Sequence, residues 1–211
     1  MRILITAGGT REYIDPVRFI SNASSGKMGY ALARTAIKAG HKVTLITAPT
    51  ALKPPGQAKL VKVETAAQMF KVVKKHFKSC NCLIMAAAVA DYTPAHPAKT
   101  KLKKTGTPIT VKLKPTPDIL KWAASHKKKT QIAVGFALED KAVRARAKKK
   151  LKDKNLDMIV ANSPAAVGAD KSNVQIKFPN SPWLEIQNVT KFVTANKIIR
   201  LVEKLHQTGF E

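Results

Sequence analysis

The sequence is poor in cysteine and contains no long apolar run. Cys80 and Cys82 are the two cysteines among 211 residues, and they form a lone C-x-C with no second pair. A four-cysteine metal site and a disulfide framework are therefore excluded, and we expect both thiols to be reduced. No apolar stretch approaches the ~18 residues that a membrane helix needs, and no leader sequence opens the chain. These absences predict a soluble, cytoplasmic protein.

Acidic residues are also scarce. The chain has 38 Lys and Arg against 13 Asp and Glu, which gives a formal net charge of +25. Such a charge raises nucleic acid as an alternative partner. However, the lysines are spread through every predicted element, and two Trp and three Tyr supply few surfaces for base stacking. No zinc-finger or RNA-binding signature is present. We therefore expect a solvated basic surface that attracts anionic substrates, and no nucleic-acid partner.

The amino-terminal segment has the pattern of a nucleotide-binding βα unit. Arg2–Ala7 has the apolar, β-branched composition of a buried strand, and Gly8 and Gly9 end it with a tight turn. Further along, Ser24-Ser25-Gly26 precedes a helical pattern at residues 30–36. A helix amino terminus surrounded by serine and glycine presents free N–H groups and a positive dipole end, so it suits phosphate.

Two well-known nucleotide-binding fingerprints are nevertheless missing. No G-x-G-x-x-G follows the first strand, and no acidic residue ends the second strand at Thr47. Both absences argue against the alternative of a pyridine-nucleotide or flavin reductase. Gly26-Lys27 is followed by Met28, and Ser21 stands where a Walker A loop has its first glycine.

What connects the first strand to its helix is a long loop rich in charged and hydrogen-bonding side chains. Loops of this length inside compact domains are usually functional, and the alternative is an ordinary surface loop with salt bridges. The side chains that characterise the loop are Arg11, Glu12, Asp15, Arg18 and Asn22.

Strand and helix patterns alternate along the rest of the chain. Residues 82–87 form a continuous apolar run, as expected for a central parallel strand. Thr65 is placed to cap a helix, and residues 179–182 form a turn between the last two strands. A final helix is predicted to bury one face, formed by Phe192, Val193, Ile198, Ile199, Val202 and Leu205. We predict one α/β domain over residues 1–211, with a doubly wound, mostly parallel Rossmann-like sheet and an antiparallel edge hairpin near the C-terminus.

One stretch interrupts this alternation. Residues 91–114 contain three prolines and six lysines with little apolar periodicity, directly after the predicted central strand. We expect a flexible lid loop at about residues 92–108 that closes over a polyphosphate and excludes water. The alternative is a disordered basic surface loop, and both descriptions apply if the lid is mobile when empty.

Several segments of this sequence closely resemble the corresponding segments of the phosphopantothenate–cysteine ligase family, also called phosphopantothenoylcysteine synthetase. The matches follow the family's order and span nearly the whole chain, which resembles a free-standing bacterial-type form without a flavin-binding decarboxylase half. The segments that carry the resemblance are residues 8–29, 86–92, 101–104, 116–119, 135–137 and 155–157.

The resemblance implies an enzyme of coenzyme A biosynthesis. Members of the family join 4′-phosphopantothenate to L-cysteine with CTP through an acyl-cytidylate, and release CMP and pyrophosphate. The Ser-Asn-x-Ser-Ser-Gly-Lys form at residues 21–27 resembles the bacterial members that favour CTP over ATP. The resemblance further implies Mg²⁺ as the metal that accompanies CTP, and a homodimer. It does not assign the metal ligands.

The resemblance also implies roles for particular residues. Asn22 would assist the acyl-nucleotide intermediate, and Lys101 in the lid would hold the phosphates during activation. Lys150 and Lys154 share one face of a predicted helix end, although each is equally well explained as one more solvated lysine. The full set of expected nucleotide-binding residues is Gly8, Gly9, Ser24, Ser25, Gly26, Ala86, Ala87, Asp91, Lys101, Thr116, Pro117, Phe136, Lys150 and Lys154.

Overall fold

The computed structural model describes residues 1–208, and it contains one large sheet with two small hairpins. The strands are β1 Arg2–Ala7, β2 Arg11–Tyr13, β3 Phe19–Ser21, β4 Lys42–Thr47, β5 Lys59–Lys62, β6 Cys82–Met85, β7 Tyr92–Pro94, β8 Leu113–Pro115, β9 Ile132–Leu138, β10 Met158–Asn162, β11 Lys171–Lys177 and β12 Leu184–Thr190. The helices are α1 Lys27–Lys38, α2 Ala66–Phe77, α3 Ile119–His126, α4 Val143–Asp153 and α5 Lys191–Thr208, with a short 3-10 turn at Pro164–Ala166.

The large sheet has eight strands in the order β12-β11-β10-β9-β6-β1-β4-β5. From β10 to β5 every neighbouring pair is parallel. β11 and β12 run antiparallel at the other edge, joined by the turn expected at residues 179–182. The predicted α/β class, the mostly parallel sheet and the antiparallel edge hairpin are thus confirmed.

Helices cover both faces of this sheet. Along β1, Ile3 and Ile5 point to the side where α1 and α5 pack, while Leu4 points to the side of α2, α3 and α4. All three side chains are at most 1% exposed. Burying such a side chain contributes about 1.5–3 kcal/mol, and a strand buried on both faces needs the continuous apolar run that β1 and β6 have.

The predicted cap of α2 is present, whereas the predicted buried face of α5 is only partly correct. The Thr65 side chain accepts from the Gln68 amide, and the Gln68 side chain accepts in turn from the Thr65 amide. Together the two hydrogen bonds form a complete capping box. In α5, Ile198, Ile199 and Val202 are buried as predicted, but Phe192 and Val193 are 53% and 46% exposed. That part of the prediction is wrong because the apolar stripe of α5 begins after its first turn.

The two long loops contain short hairpins that the sequence pattern did not predict. β2 pairs with β3, and β7 pairs with β8, each antiparallel and three residues long. The stretch between β7 and β8 is tied to the β2–β3 loop, since Ala98 donates from its amide to the Ile14 oxygen at 2.8 Å. The mobility of residues 92–108 stays a prediction.

Asp15 is the centre of this tie. Its carboxylate accepts from the amides of Val17 and Arg18, from the amide of Leu102 and from the Arg18 guanidinium. Burial alone would raise the pKa of Asp15, but these hydrogen bonds and the Arg18 charge together lower it. One carboxylate therefore joins the first loop to the lid segment.

Over residues 1–208, no helix is both long and apolar enough to cross a membrane.

Candidate active site

A cavity of about 720 Å³ lies at the carboxyl ends of the central parallel strands. Its walls come from the loop before α1, the segment after β6, the start of α3, the end of β9, the end of α4 and the segment after β10. Open α/β sheets bind ligands at this end. The cavity is therefore the candidate active site.

Residues 24–26, which we call the cradle, form one wall of the cavity. Gly26 is the N-cap of α1 at φ 74°, a conformation that favours glycine, and it has no side chain to cap the helix. Ser24 and Ser25 line the cavity beside it, and the Ser25 carbonyl accepts from Thr50 at 3.1 Å. The amino terminus of α1 thus offers backbone donors toward the cavity, as expected for an anion site.

Gly8 and Gly9 lie behind this wall and do not line the cavity. Gly8 has φ 80°, and a Cβ on Gly26 would lie 3.4 Å from the Gly8 nitrogen. A Cβ on Gly9 would lie 2.7 Å from the Asn22 carbonyl oxygen. The two glycines therefore allow the cradle to pack closely against the end of β1. Their predicted contact with nucleotide stays a prediction.

Asn22 joins the cradle loop to the segment after β6. Its side-chain nitrogen donates to the Ala88 oxygen at 3.3 Å and the Val89 oxygen at 3.2 Å. Because both partners accept, the atom facing them must be the nitrogen. Over residues 1–208 the Asn22 amide oxygen has no hydrogen-bond partner, so the side chain offers an acceptor to a ligand, while its nitrogen already donates to the two backbone oxygens.

The segment after β6 is built from small residues held by threonine hydroxyls. Thr6 accepts from the Ala87 amide at 3.1 Å, and Thr116 donates to the Ala90 oxygen at 2.6 Å. The Thr116 amide also donates to the Asp91 oxygen at 2.9 Å. These bonds bring together five predicted residues that lie on two separate segments, and all five line the cavity: Ala86, Ala87, Asp91, Thr116 and Pro117.

Lys150 and Lys154 form the opposite wall together with Phe136. Lys150 donates to the Phe136 oxygen at 2.7 Å, and Lys154 pairs with Asp118 at 2.9 Å. Burial, followed by repulsion from Lys154, lowers the pKa of Lys150. Burial opposes ionisation of Asp118, but the hydrogen bonds from Lys154 and the Lys121 amide, with the charges of Lys154 and Lys150, together outweigh it and lower the pKa of Asp118. Both lysines line the cavity, whereas their contact with a nucleotide stays a prediction.

Lys101 is the one predicted catalytic residue that the structure leaves outside the cavity. Its side chain is exposed and absent from the cavity walls. The next residue, Leu102, is fixed at its oxygen by Arg18 at 2.9 Å and at its amide by Asp15 at 3.1 Å. Lys101 thus stands on an anchored stretch of the lid, and its role in phosphate binding stays a prediction that requires the segment to move.

Sequence reasoning missed a further wall of the cavity. Ala166 ends the 3-10 turn after β10 and is followed by Val167 and Gly168, and the lysines Lys27 and Lys191 begin α1 and α5 beside them. Lys27 stands inside the Ser-Ser-Gly-Lys segment, so its position was a usable signal. Lys191 begins an ordinary amphipathic helix and gives no such signal.

The side chains of the cavity wall limit how a metal ion could be held there. Among residues 1–208 there is no group of three or more His, Cys, Asp or Glu side chains that could hold a metal ion. Of the three carboxylates on the cavity wall, Asp118 is paired with Lys154 and Glu139 with Arg146, which leaves Asp91. One carboxylate suits Mg²⁺ that is held mainly by nucleotide phosphates and water.

Comparison with known proteins identifies relatives along nearly the whole chain. The model of the DNA/pantothenate metabolism flavoprotein C-terminal domain family matches residues 1–205. The chain is 44% identical over 213 residues to the Coenzyme A biosynthesis bifunctional protein CoaBC of Bacillus subtilis (strain 168), covering 98% of this chain and 52% of that protein. It is 47% identical over 206 residues to a Cysteine/Cysteine sulfinic acid decarboxylase of an unknown prokaryotic organism, covering 95% and 57% respectively.

A solved structure agrees with the fold. The C-terminal domain of a Coenzyme A biosynthesis bifunctional protein CoaBC superposes with a TM-score of 0.86 at 40% identity, covering 98% of this chain and 96% of that one. The chain spans about half the length of the curated relatives it matches, since 52% of the Bacillus protein is covered. From the family match over residues 1–205, the chain belongs to the DNA/pantothenate metabolism flavoprotein C-terminal domain family.

Proposed function

We propose that this chain is a phosphopantothenate–cysteine ligase that uses CTP. One observation carries the proposal: segments that are far apart in sequence, and that carry the resemblance, converge on a single cavity. The residues of those segments that line it include Asn22, Ser24, Ser25, Gly26, Ala86, Ala87, Asp91, Thr116, Pro117 and Phe136. The relatives named as coenzyme A biosynthesis proteins support the pathway.

The proposed reaction has two steps. A carboxylate oxygen of 4′-phosphopantothenate attacks the α-phosphorus of CTP, forming the acyl-cytidylate and releasing pyrophosphate. The amine of cysteine then attacks the acyl carbon, the amide bond forms, and CMP leaves with the carboxylate oxygen. Two anions must meet in the first step, so cationic and N–H donors around the cavity are needed to offset their repulsion.

The residues on the cavity wall suit these requirements. The amino terminus of α1, which has no side-chain cap, would bind phosphate oxygens, and the Asp91 carboxylate would accept from ribose hydroxyls. Small side chains at Ala86 and Ala87 would let the backbone approach a base, and Phe136 also lines the cavity. Lys101 would complete the site when the lid moves toward the phosphates.

Mg²⁺ belongs to the proposal as the ion that accompanies CTP. Asp91 is the cavity carboxylate without an ion-pair partner over residues 1–208, and it would hold the ion together with phosphate oxygens and water. The ion would supply charge neutralisation at the phosphates.

We also place the reaction in the cytoplasm, where the free thiols of Cys80 and Cys82 stay reduced.

We further propose that the protein is a homodimer whose copies meet at the two small hairpins. Phe19 and Ile20 in β3, and Tyr92 and Leu113 in β7 and β8, are exposed apolar side chains on hairpins that adjoin each other. Exposed apolar groups concentrated in one place mark contact surfaces. Light scattering of the wild type and of a Phe19→Ser, Ile20→Ser variant tests this. We expect the wild type to be a dimer and the variant to be a monomer; a variant that stays dimeric would contradict the proposed surface.

The activity is tested by supplying CTP, 4′-phosphopantothenate and cysteine and measuring pyrophosphate together with the mass of the product. We expect phosphopantothenoylcysteine, CMP and pyrophosphate in equal amounts, and none of them when any one substrate is left out. Pantothenate in place of 4′-phosphopantothenate is the matched substrate control. Tight NADPH binding without CTP binding would instead favour a reductase, and stoichiometric DNA retention at physiological salt would favour a nucleic-acid function.

A further inference from the structure

The cavity carries two separate groups of charged side chains. In the first group, the charges of Lys154, Glu139, Asp118 and Asp91 all act on Lys150. All five residues of this group line the cavity, and three of them are carboxylates. Before Mg²⁺ binds at Asp91, this side of the cavity is therefore not the more attractive one for a dianionic phosphoryl group, although it suits a nucleoside with hydroxyl and amino groups.

The second group is cationic on its cavity side. Lys27 and Lys191 both line the cavity, and the charges that act on Lys191 are those of Lys27 and Asp170. Asp170 itself is not part of the cavity wall, and its side chain is 90% exposed. Both lysines thus line the cavity, whereas the carboxylate that pairs with Lys27 does not.

The fold fixes both lysines at one place. Lys27 is the first residue of α1 and Lys191 the first residue of α5, and the two helices pack against each other on one face of the sheet. Lys27 donates to the Gly168 oxygen at 3.2 Å and pairs with Asp170 at 2.9 Å. Lys191 donates to the Ala166 oxygen at 3.0 Å. The segment after β10 therefore holds both ammonium groups.

The existing partners satisfy these charges only in part. Burial, followed by repulsion from Lys27, lowers the pKa of Lys191. The charge of Asp170 opposes this shift, but its carboxylate is already paired with Lys27. The Lys27–Asp170 pair is exposed, and such pairs contribute little because water screens them. A phosphoryl group carries enough negative charge to serve both lysines and accepts several charge-assisted hydrogen bonds.

We propose that Lys27 and Lys191 form a phosphoryl-binding subsite of the cavity, and that Asp170 occupies Lys27 until a phosphoryl group displaces it. The inference rests on the proposed function, which brings two ligands with phosphoryl groups into this cavity. The shared chemistry is a terminal phosphoryl group. Its two possible sources are the triphosphate of CTP and the 4′-phosphate of phosphopantothenate.

Calorimetric binding to the full chain distinguishes these sources without relying on turnover. Each ligand is compared with a partner that lacks its terminal phosphoryl groups: CTP with CMP, which keeps only the α-phosphate, and 4′-phosphopantothenate with pantothenate. The phosphorylated member of a pair is the one that carries the additional phosphoryl groups. Lys27→Gln and Lys191→Gln are expected to lose roughly tenfold or more of the preference for the phosphorylated member of one pair, the loss typical of one charge-assisted hydrogen bond. The pair affected identifies the source.

Matched variants on the same helices control for nonspecific loss of charge. Lys38→Gln at the end of α1 and Lys197→Gln in α5 remove exposed lysines and should bind like the wild type. Lys191→Arg keeps the charge and should retain binding if Lys191→Gln loses it. Asp170→Asn removes the competing carboxylate, so it should strengthen binding of the phosphorylated ligand several-fold.

Each outcome decides a different point. If the wild type prefers the phosphorylated ligands and both lysine variants do so equally, the subsite is refuted while the proposed function stands. If Asp170→Asn weakens binding, the pair with Lys27 is structural and the displacement is refuted. If the wild type binds none of the four ligands, the proposed function fails and the subsite fails with it.

Discussion

Asn22 donates from its side-chain nitrogen to the backbone oxygen of Val89 at 3.2 Å, which joins the loop before α1 to the segment after β6. A second bond from the same nitrogen reaches Ala88 at 3.3 Å. The side chain therefore both shapes the cavity and presents its remaining amide oxygen there. A catalytic role and a structural role for Asn22 are consequently linked.

Replacing Asn22 should impair both activity and stability. In Asn22→Asp a carboxylate oxygen would face the Ala88 and Val89 oxygens, and repulsion would move the loop. A displacement of about 1 Å costs about 10²-fold in rate, while the lost hydrogen bonds cost about 1–3 kcal/mol of unfolding free energy. Pyrophosphate release and denaturant unfolding measure the two effects. Asn196→Ala, which also removes an amide-to-backbone hydrogen bond, controls for position; wild-type activity in Asn22→Asp contradicts the assignment.

Lys101 offers a test of lid closure, because it is exposed and lies outside the cavity. Lys101→Gln should leave the unfolding free energy within about 0.5 kcal/mol of the wild type, as for other surface changes. Turnover should fall by about 10²-fold, comparable with the loss of one preorganised donor. Lys99→Gln in the same segment is the matched control. Equal turnover in the two variants would remove Lys101 from the mechanism.

Asp15 makes the attachment of the lid segment dependent on pH. Hydrogen bonds to its carboxylate lower its folded-state pKa below the ordinary value of 3.8. Its stabilising contribution is therefore fully present above that value and is lost as the pH falls through the lower folded-state pKa. We expect Asp15→Asn to be less stable than the wild type at pH 7, with the difference shrinking in acid. Urea unfolding at several pH values measures this, and a difference that grows in acid would contradict it.

Gly29 tests the close packing that places the cradle against the sheet. A Cβ on Gly29 would lie 2.5 Å from the Ala7 Cβ and 2.9 Å from the Thr6 oxygen. Gly29→Ala should therefore cost about 1–3 kcal/mol of unfolding free energy through overpacking, with weakened CTP binding. Gly56 has no heavy atom within 4 Å of such a Cβ, so Gly56→Ala should leave both quantities near their wild-type values. A stable Gly29→Ala protein would show that α1 shifts without cost.

Elements specified by local pattern were predicted well. The central strand β6 is a continuous apolar run, the Thr65 cap begins α2 as expected, and the turn at residues 179–182 joins β11 to β12. These features depend on neighbouring residues, so a single sequence contains the information. The same holds for the cradle, where Ser24–Gly26 precedes a helix.

Features that depend on contacts distant in sequence were not predictable in this way. The anchoring of Leu102 by Arg18 joins two loops separated by many residues, and neither loop has a strand pattern. The position of Lys191 on the cavity wall depends on how α5 packs against α1. Exposure of Phe192 and Val193 likewise follows from where that packing begins, which periodicity alone does not show.

Isotope transfer tests the proposed chemistry most directly. Phosphopantothenate labelled with ¹⁸O in its carboxylate is incubated with the enzyme, CTP and cysteine, and the products are separated by mass. If the carboxylate attacks the α-phosphorus, one labelled oxygen must appear in CMP and none in pyrophosphate. Labelled oxygen in pyrophosphate or orthophosphate, with unlabelled CMP, would contradict the acyl-cytidylate and the account built on it.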